Sequence, residues 1–295
     1  MRKATLLFFW DYDTHWGADR SRSPGGPKQW GQLEFENTET LLELHAEHNI
    51  PACFAVVGAA ALPGSRPYHD PDQIRRIHAA GHEVASHSHR HEWLPGLDRR
   101  ELLATLQMSK DSLEQCIGAD VVSFVPPYNQ PFDYAAKWAF SVSERYQVRG
   151  ERTDLKVLCE TLWESGYRFC RVAYKPLPVQ IAERITGRMF ERPASFENIA
   201  GVQCIRLNTP GGFHGPTRTM LNRCVKNGAT VVIYGHPHSI RMHGPQHVSH
   251  LTTLLSEIRG YRERGELEVK TPSSVVKELT GTASSLAAGN LRECR

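Results

Sequence analysis

Three histidines fall within five residues in the stretch His82-Glu83-Val84-Ala85-Ser86-His87-Ser88-His89-Arg90-His91. Imidazole is a ligand for zinc and other late divalent metals. Any one of the 15 histidines read alone is a surface or core residue; the cluster His87, His89, His91, with His82 just before it, argues for metal once a carboxylate joins it. Two carboxylates, Asp11 and Asp13, stand two apart at the end of an apolar run, residues 4–10 (ATLLFFW). Carboxylates at the end of a buried strand are costly without a partner. Two further apolar runs end in the same way: residues 121–125 lead into Pro126-Pro127-Tyr128-Asn129, and residues 230–234 (TVVIY) lead into Gly235-His236-Pro237-His238. One carboxylate and two imidazoles leave positions open on a zinc ion, whose bound water loses a proton near neutral pH. A second carboxylate then serves as general base, and a separate histidine protonates a leaving group. The sum is a metal-assisted hydrolase of an amide or ester.

These groups must be positioned by strands whose ends meet. Strands are predicted at 4–10, 52–57, the run into His87, 121–125, 168–174, 202–207, 230–234 and 267–270. Between them, helices are predicted from an Asn37 cap through His48 with Leu41, Leu42 and Leu44 inward, and from Asp70-Pro71 to Gly81. Others run from the Asp98-x-x-Glu101 capping pair to Gly118, from Pro216 to Gly228, over 248–264, and after Ser273 or Ser274. Residues 131–145 and 153–165 also read as helical. Residues 14–35, with Trp16, Gly17, Trp30 and Gly31 around Ser-Pro-Gly-Gly-Pro, read as a long functional loop. Alternation of strand and helix at this spacing predicts a parallel sheet or barrel, with the C-terminal strand ends on one face.

Composition narrows the partners. A chain of 295 residues with 40% hydrophobic and 23% charged content has the makeup of a globular protein with its own core. A net charge of +3 gives no reason to expect nucleic acid. No stretch approaches the roughly 20 apolar residues of a bilayer span, and residues 1–10 lack a signal peptide's cleavage site. The expectation is a cytoplasmic protein without membrane insertion; a homo-oligomer is left open. Seven cysteines without C-x-x-C argue against a disulfide framework or a cysteine zinc site and read as buried thiols.

Taken in order, Asp11-Tyr12-Asp13, His87-Ser88-His89-Arg90-His91, Val125-Pro126-Pro127-Tyr128 and Tyr234-Gly235-His236-Pro237 resemble four motifs of the polysaccharide deacetylases, carbohydrate esterase family 4. The resemblance covers roughly residues 4–280. It implies a distorted (β/α) barrel with fewer than eight repeats, in one catalytic domain over 1–280, with 175–200 as an excursion and 281–295 as a flexible tail. It also implies one divalent metal, Zn2+ by default, and a carbohydrate substrate losing an acetyl group. By motif, Asp13, His87 and His91 are the metal ligands, Asp11 is the base, the backbone N–H of Tyr128 holds the oxyanion, and His236 is the acid. His89 matches no ligand position, and the spacing of His87 to His91 fits one helical turn. Trp16 and Trp30, with Pro127 and His238, are expected at the substrate; His238 is also an alternative acid.

Three departures from the family pattern stand out. Tyr12 separates two aspartates that are commonly adjacent. Val125 stands where an arginine usually precedes Pro-Pro and orients the base, so Arg171, Arg20 or Arg22 must substitute. The acidic support of the acid histidine has only Asp133 and Glu164 as nominal candidates. The substrate expected is an N-acetylated sugar, nucleotide-linked, lipid-linked or a small soluble glycoside. Two rivals are a cyclic imide or ureide amidohydrolase on the same fold and a carbohydrate-binding relative without turnover.

Overall fold

The computed structural model describes residues 2–21, 29–129, 154–172, 185 and 194–290. Its centre is β1 (Ala4–Tyr12), buried along almost its whole length. A strand buried on both faces reads as a continuous apolar run, which is how residues 4–10 read. β1 pairs in parallel with β2 (Cys53–Val56) along its last four residues and with β9 (Leu267–Val269) along its first three. β8 (Thr230–Gly235) runs along the other edge from Thr5 to Trp10.

From β2 the sheet continues in parallel through β3 (Glu83–Ser86), β4 (Ser123–Phe124), β5 (Phe169–Val172) and β7 (Val202–Arg206), and ends in β6 (Phe196–Ile199), antiparallel to β7. The sheet curls until its two ends meet. Ala194 bridges Thr230. Asn208, just past β7, then imitates a strand: its Nδ2 donates to Thr230 O (3.0 Å), its Oδ1 accepts from Val232 N (2.9 Å), and Thr209 Oγ1 donates to Val232 O (2.6 Å). The architecture is the expected α/β one, a distorted barrel in a single domain.

Helices lie outside the sheet: α1 (Thr14–Ser21), α2 (Trp30–His48), α3 (Pro71–Ala79), α4 (Arg99–Ile117), α5 (Leu155–Glu164), α6 (Gly215–Asn227), α7 (Val248–Glu263) and α8 (Pro272–Asn290). Their ends follow local chemistry. Asp70 caps α3 by accepting from Gln73 N, and Asp98 and Glu101 form both halves of the capping box on α4. Left-handed Gly118 and Gly228 end α4 and α6. Alternate residues of β1 serve two cores. Leu6, Phe8, Trp10 and Tyr12 face the helices, while Leu7 and Phe9 join Cys53, Ala55, Ala85, Val125, Phe169, Ile205 and Val232 inside the barrel, where Val275 of α8 also packs.

Several expectations are corrected. Residues 14–35 are not one loop: 14–21 form α1, and α2 starts at Trp30, so Asn37 is a buried residue inside a helix and not its cap. Residues 196–199, read as part of an excursion, are β6 of the sheet. α8 runs on through the residues read as a tail as far as Asn290. The helix expected over 131–145, most of 175–200, and residues 291–295 lie outside the described residues. Among the described residues no helix is long and apolar enough to cross a membrane.

Candidate active site

The period of a strand explains the first motif. Side chains two apart share a face, so Asp11 and Asp13 continue the inward row of Leu7 and Phe9. Tyr12 turns outward, where its hydroxyl donates to Gln73 Oε1 (2.8 Å). The intervening tyrosine thus places both carboxylates on one side, where adjacent aspartates on a strand would face apart. Both are buried, each about 3% exposed. The backbone N–H groups of Asp13 and Thr14 donate to the carboxylate of Glu34 on α2 (3.0 and 2.5 Å). α1 must start directly over Asp13: a Cβ on Gly17 would stand 2.5 Å from the Asp13 Cβ.

Asp13 meets the histidine motif. Its Oδ1 lies 3.3 Å from His87 Nε2 and 3.5 Å from His91 Nε2, all three side chains buried. Among the described residues this is the cluster of three His, Cys, Asp or Glu groups whose ligand atoms all lie within 4.8 Å of one another. His87 Nδ1 donates to Val125 O (2.7 Å). A carbonyl only accepts, so Nδ1 carries the proton and Nε2 offers its lone pair toward Asp13, the arrangement usual for a metal-bound imidazole. Asp13 Oδ1 is buried and has no hydrogen-bond partner. One oxygen and two imidazole nitrogens, converging on an unpartnered carboxylate atom, fit a divalent ion with open positions.

Burial alone would raise the Asp13 carboxyl, but His91 and His87 outweigh it and hold it well below the usual carboxylate range. Burial pulls both imidazoles down. At His91 it prevails; at His87 the adjacent carboxylate of Asp13 and the charge of Asp11 reverse it and raise the group.

The path from His87 to His91 is not the helical turn that its spacing suggested. It is an irregular bend in which Ser88 (φ 61°) and His91 (φ 57°) are left-handed. Thr14 (φ 52°) and Tyr128 (φ 57°) share that conformation, so four of the six described non-glycine residues with positive φ stand at this site. Such residues cost on the order of 1–3 kcal/mol each and persist where their surroundings fix them. Ser88 shows the fixing: its carbonyl accepts from Gly58 N and Ser109 Oγ, and its hydroxyl from Glu92 N. His89 is buried beside the triad without joining it, and His82 belongs to the far end of β3, against His45 and Phe54.

Asp11 has a different partner. Arg171, from β5 across the barrel, grips it with both ends of the guanidinium (Nη1–Oδ1 2.8 Å, Nη2–Oδ2 2.7 Å). Arg171 is itself 2% exposed and lies over the rings of Phe9 and Tyr234. Burial would raise Asp11; Arg171, with His87 and His236, more than offsets it and keeps the carboxyl below its ordinary value. Of the arginines named as substitutes for the one absent before Pro126, Arg171 therefore holds Asp11; Arg22 lies outside the described residues. His236 Nε2 stands 3.9 Å from Asp11 Oδ2. On its other side, His236 meets Gln246: the backbone N–H donates to Gln246 Oε1 (2.7 Å), and Nδ1 lies 3.2 Å from Gln246 Nε2. Glu164 does not support it, being paired with Arg99 at the surface (3.2 Å), and Asp133 is outside the described residues.

The remaining side chains form walls. The Tyr128 ring packs edge-on against His91 (4.6 Å) and Trp93 (5.5 Å). Pro127 opens the short turn Pro127–Asn129 that carries it. Trp30, at the start of α2, contacts the buried His238 (3.9 Å), which burial and then His236 push well below the ordinary imidazole value. Trp16, on α1, packs with Tyr68 and His69 under Arg90. Glu34 and Gln246 are contacts the sequence did not announce. Glu34 carried no signal, because the inward face of the first turns of α2 is polar; Gln246 is ten positions beyond His236 in an irregular segment.

Known proteins resemble this chain over part of its sequence and in its fold. Residues 28–142 match the family model for polysaccharide deacetylase. That span holds the histidine motif and Pro126–Tyr128, but not Asp11, Asp13 or His236. A chitooligosaccharide deacetylase of Sinorhizobium fredii (strain NBRC 101917 / NGR234) is 36% identical over 92 residues, 31% of this chain and 40% of that protein. The match thus spans less than half of that relative. Among solved structures, a candidate polysaccharide deacetylase from Mycobacterium smegmatis superposes with a TM-score of 0.66 at 18% identity, over 96% of this chain and 92% of the other. Puue allantoinase superposes with a TM-score of 0.61 at 14% identity, over 95% and 91%. At these identities the structures share the fold.

Proposed function

We propose that this chain, a relative of the polysaccharide deacetylases, is a metal-dependent hydrolase that removes the acetyl group from an N-acetylated sugar. The observation that carries the reading is the pair of inward carboxylates with separate partners: Asp11 clamped by Arg171, and Asp13 facing two imidazoles. Two carboxylates in different environments take different roles. Asp13, His87 and His91 would hold one divalent ion, zinc by donor set; bound there, it supplies Lewis-acid chemistry that polarises a carbonyl and acidifies water.

The other residues act directly. Asp11, kept ionised by Arg171, takes the proton of the attacking water. The backbone N–H of Tyr128 is assigned to the developing oxyanion, a role in which a fixed donor needs no reorganisation. His236, close to Asp11, gives its Nε2 proton to the leaving nitrogen. Trp30, His238, Trp16 and Pro127 are assigned to the sugar: Trp30 and Trp16 offer aromatic surface, and His238 offers a neutral imidazole edge. The acceptor of the sugar is a nucleotide, a lipid or a small soluble glycoside.

The test is acetate release by the zinc-loaded protein from N-acetylated sugars, nucleotide sugars and oligosaccharides, with a chelated control. Chelator-sensitive acetate from one of these classes is expected. Acetate from none of them, with one metal per chain, would overturn the reading; a ring-opened acid from a cyclic imide or ureide in the same assay would put an amidohydrolase in its place.

A further inference from the structure

We propose that Gln246 is the positioning residue of His236: its side-chain amide fixes which ring nitrogen carries the proton and supports the ring with a neutral group in place of a carboxylate. The inference rests on the reading of His236 as the acid.

The orientation of the amide follows from its partners. A backbone N–H can only donate, so the atom 2.7 Å from His236 N is the amide oxygen. The amide nitrogen is then the group facing Nδ1 at 3.2 Å. The amide oxygen, already taken by the backbone N–H, lies slightly farther from Nδ1 (3.3 Å), so we assign Nδ1 of the neutral ring as the acceptor of the NH2, with the ring proton on Nε2. That is the nitrogen 3.9 Å from Asp11 Oδ2; the ring acts as an acid once Nδ1 has taken a second proton, and it then gives up the Nε2 proton and keeps the one on Nδ1. When the ring takes a second proton, Nδ1–H has Gln246 Oε1 within 3.3 Å, so the same amide can receive it.

The amide is anchored from both sides. The carbonyl of Pro245 accepts from Phe213 N (2.7 Å), and Val248 N donates to Ile240 O (2.7 Å), which pins the residues around Gln246. The groups facing the ring are few. Asp11 of β1 is the anion, but Arg171 of β5 already grips both of its oxygens. His238, on the turn after β8, has its ring 5.1 Å away, and Tyr234 of β8 has its ring 6.0 Å away. No carboxylate among the described residues is hydrogen-bonded to His236 Nδ1. A carboxylate in the place of Gln246 would favour the charged ring and raise its pKa by about 1–3 units.

The test is 15N-histidine NMR of His236 across pH 5–9 in the wild type, Gln246→Glu and Gln246→Leu, zinc-loaded and again chelated, with the signal assigned by His236→Asn. The wild type is expected to show a neutral ring protonated on Nε2. Gln246→Leu should lose that single tautomer. The near-isosteric Gln246→Glu should raise the titration midpoint by about 1–3 units. The acid works protonated, so the alkaline limb of acetate release should move up by the same amount. An unchanged tautomer in Gln246→Leu, or an unchanged midpoint in folded Gln246→Glu, overturns the proposal. The NMR reads no turnover: missing acetate would remove the proposed function without touching the tautomer, and an unmoved tautomer would remove this inference alone.

Discussion

A buried carboxylate does what its neighbours permit, and the two aspartates at the end of β1 make the point within three residues. Asp13 faces imidazoles; Asp11 faces a guanidinium. Asp13→Ala and His91→Ala are therefore expected to lose metal, measured as zinc per chain after gel filtration, whereas Asp11→Asn keeps metal and loses turnover. Full zinc occupancy in Asp13→Ala would refute the ligand assignment. Arg171→Met leaves the Asp11 charge buried without its partner, a change that typically costs about 3–5 kcal/mol. It also removes the largest influence that offsets burial, so the Asp11 carboxyl rises. The expected result is a large fall in Tm and activity, with Tm recovered in Arg171→Met/Asp11→Asn because the orphaned charge is gone. Arg171→Lys keeps the charge but not the two-pronged grip, so it should fall between. The placement of Asp11 and Asp13 together at the site was legible because a carboxylate pair at a strand end has few innocent explanations. Arg171 was legible only as one of three arginines, since nothing local links positions 11 and 171.

At the scale of elements, apolar periodicity was a good guide wherever an element packs on apolar neighbours. α3, α4, α6 and α7 carry caps and inward leucines or isoleucines that announce them. α2 was misread at its start because its inward residues there are Gly31, Glu34, Asn37 and Thr38 with Phe35 as the one apolar member, and sustained hydrophobic periodicity begins only at Leu41. Those polar residues face inward for the site's sake: Glu34 holds the backbone of Asp13, and Asn37 donates to Pro237 O (2.8 Å) next to His236. The local failure of the pattern thus marks function. The closing of the barrel was equally illegible, because Asn208 does it with a side chain. Asn208→Ala removes its bonds to Thr230 and Val232 and leaves the buried Val232 N–H without its acceptor. A loss of about 1–3 kcal/mol is expected, read as a lower Tm with the zinc site unaffected. A Tm within error of the wild type would show that the Ala194–Thr230 bridge closes the sheet unaided.

The molecule as a whole carries an acid sensitivity that has nothing to do with the site. At the other end of the barrel, His45 accepts from Trp10 Nε1 (2.8 Å) while its Nδ1 donates to Ile50 O (2.8 Å), and His82 Nδ1 accepts from Ala52 N (3.1 Å). Burial, with His82 adding to it at His45, pushes His45 down to about 3, and burial pushes His82 down to about 4. In the unfolded chain both titrate near 6.5. Below that pH the unfolded state takes up protons that the folded state refuses, so stability is lost as pH falls from about 6.5 toward the depressed folded values. His82→Asn, which can still accept from Ala52 N, should show a shallower fall in Tm between pH 7 and pH 5; parallel slopes would rule His82 out as a contributor. A second consequence lies in the order of synthesis. β1 is made before any of its partners, and only the β2 pairing can form early. Its other edge waits for β8, more than two hundred residues later, and its opening residues wait for β9. Through most of translation this long apolar strand has an open edge, the feature that invites pairing with another chain. The yield of folded protein is therefore expected to depend on how well residues 4–12 are kept from other chains until residues 230–269 arrive, a dependence that aggregation of released nascent chains truncated before β8 would check.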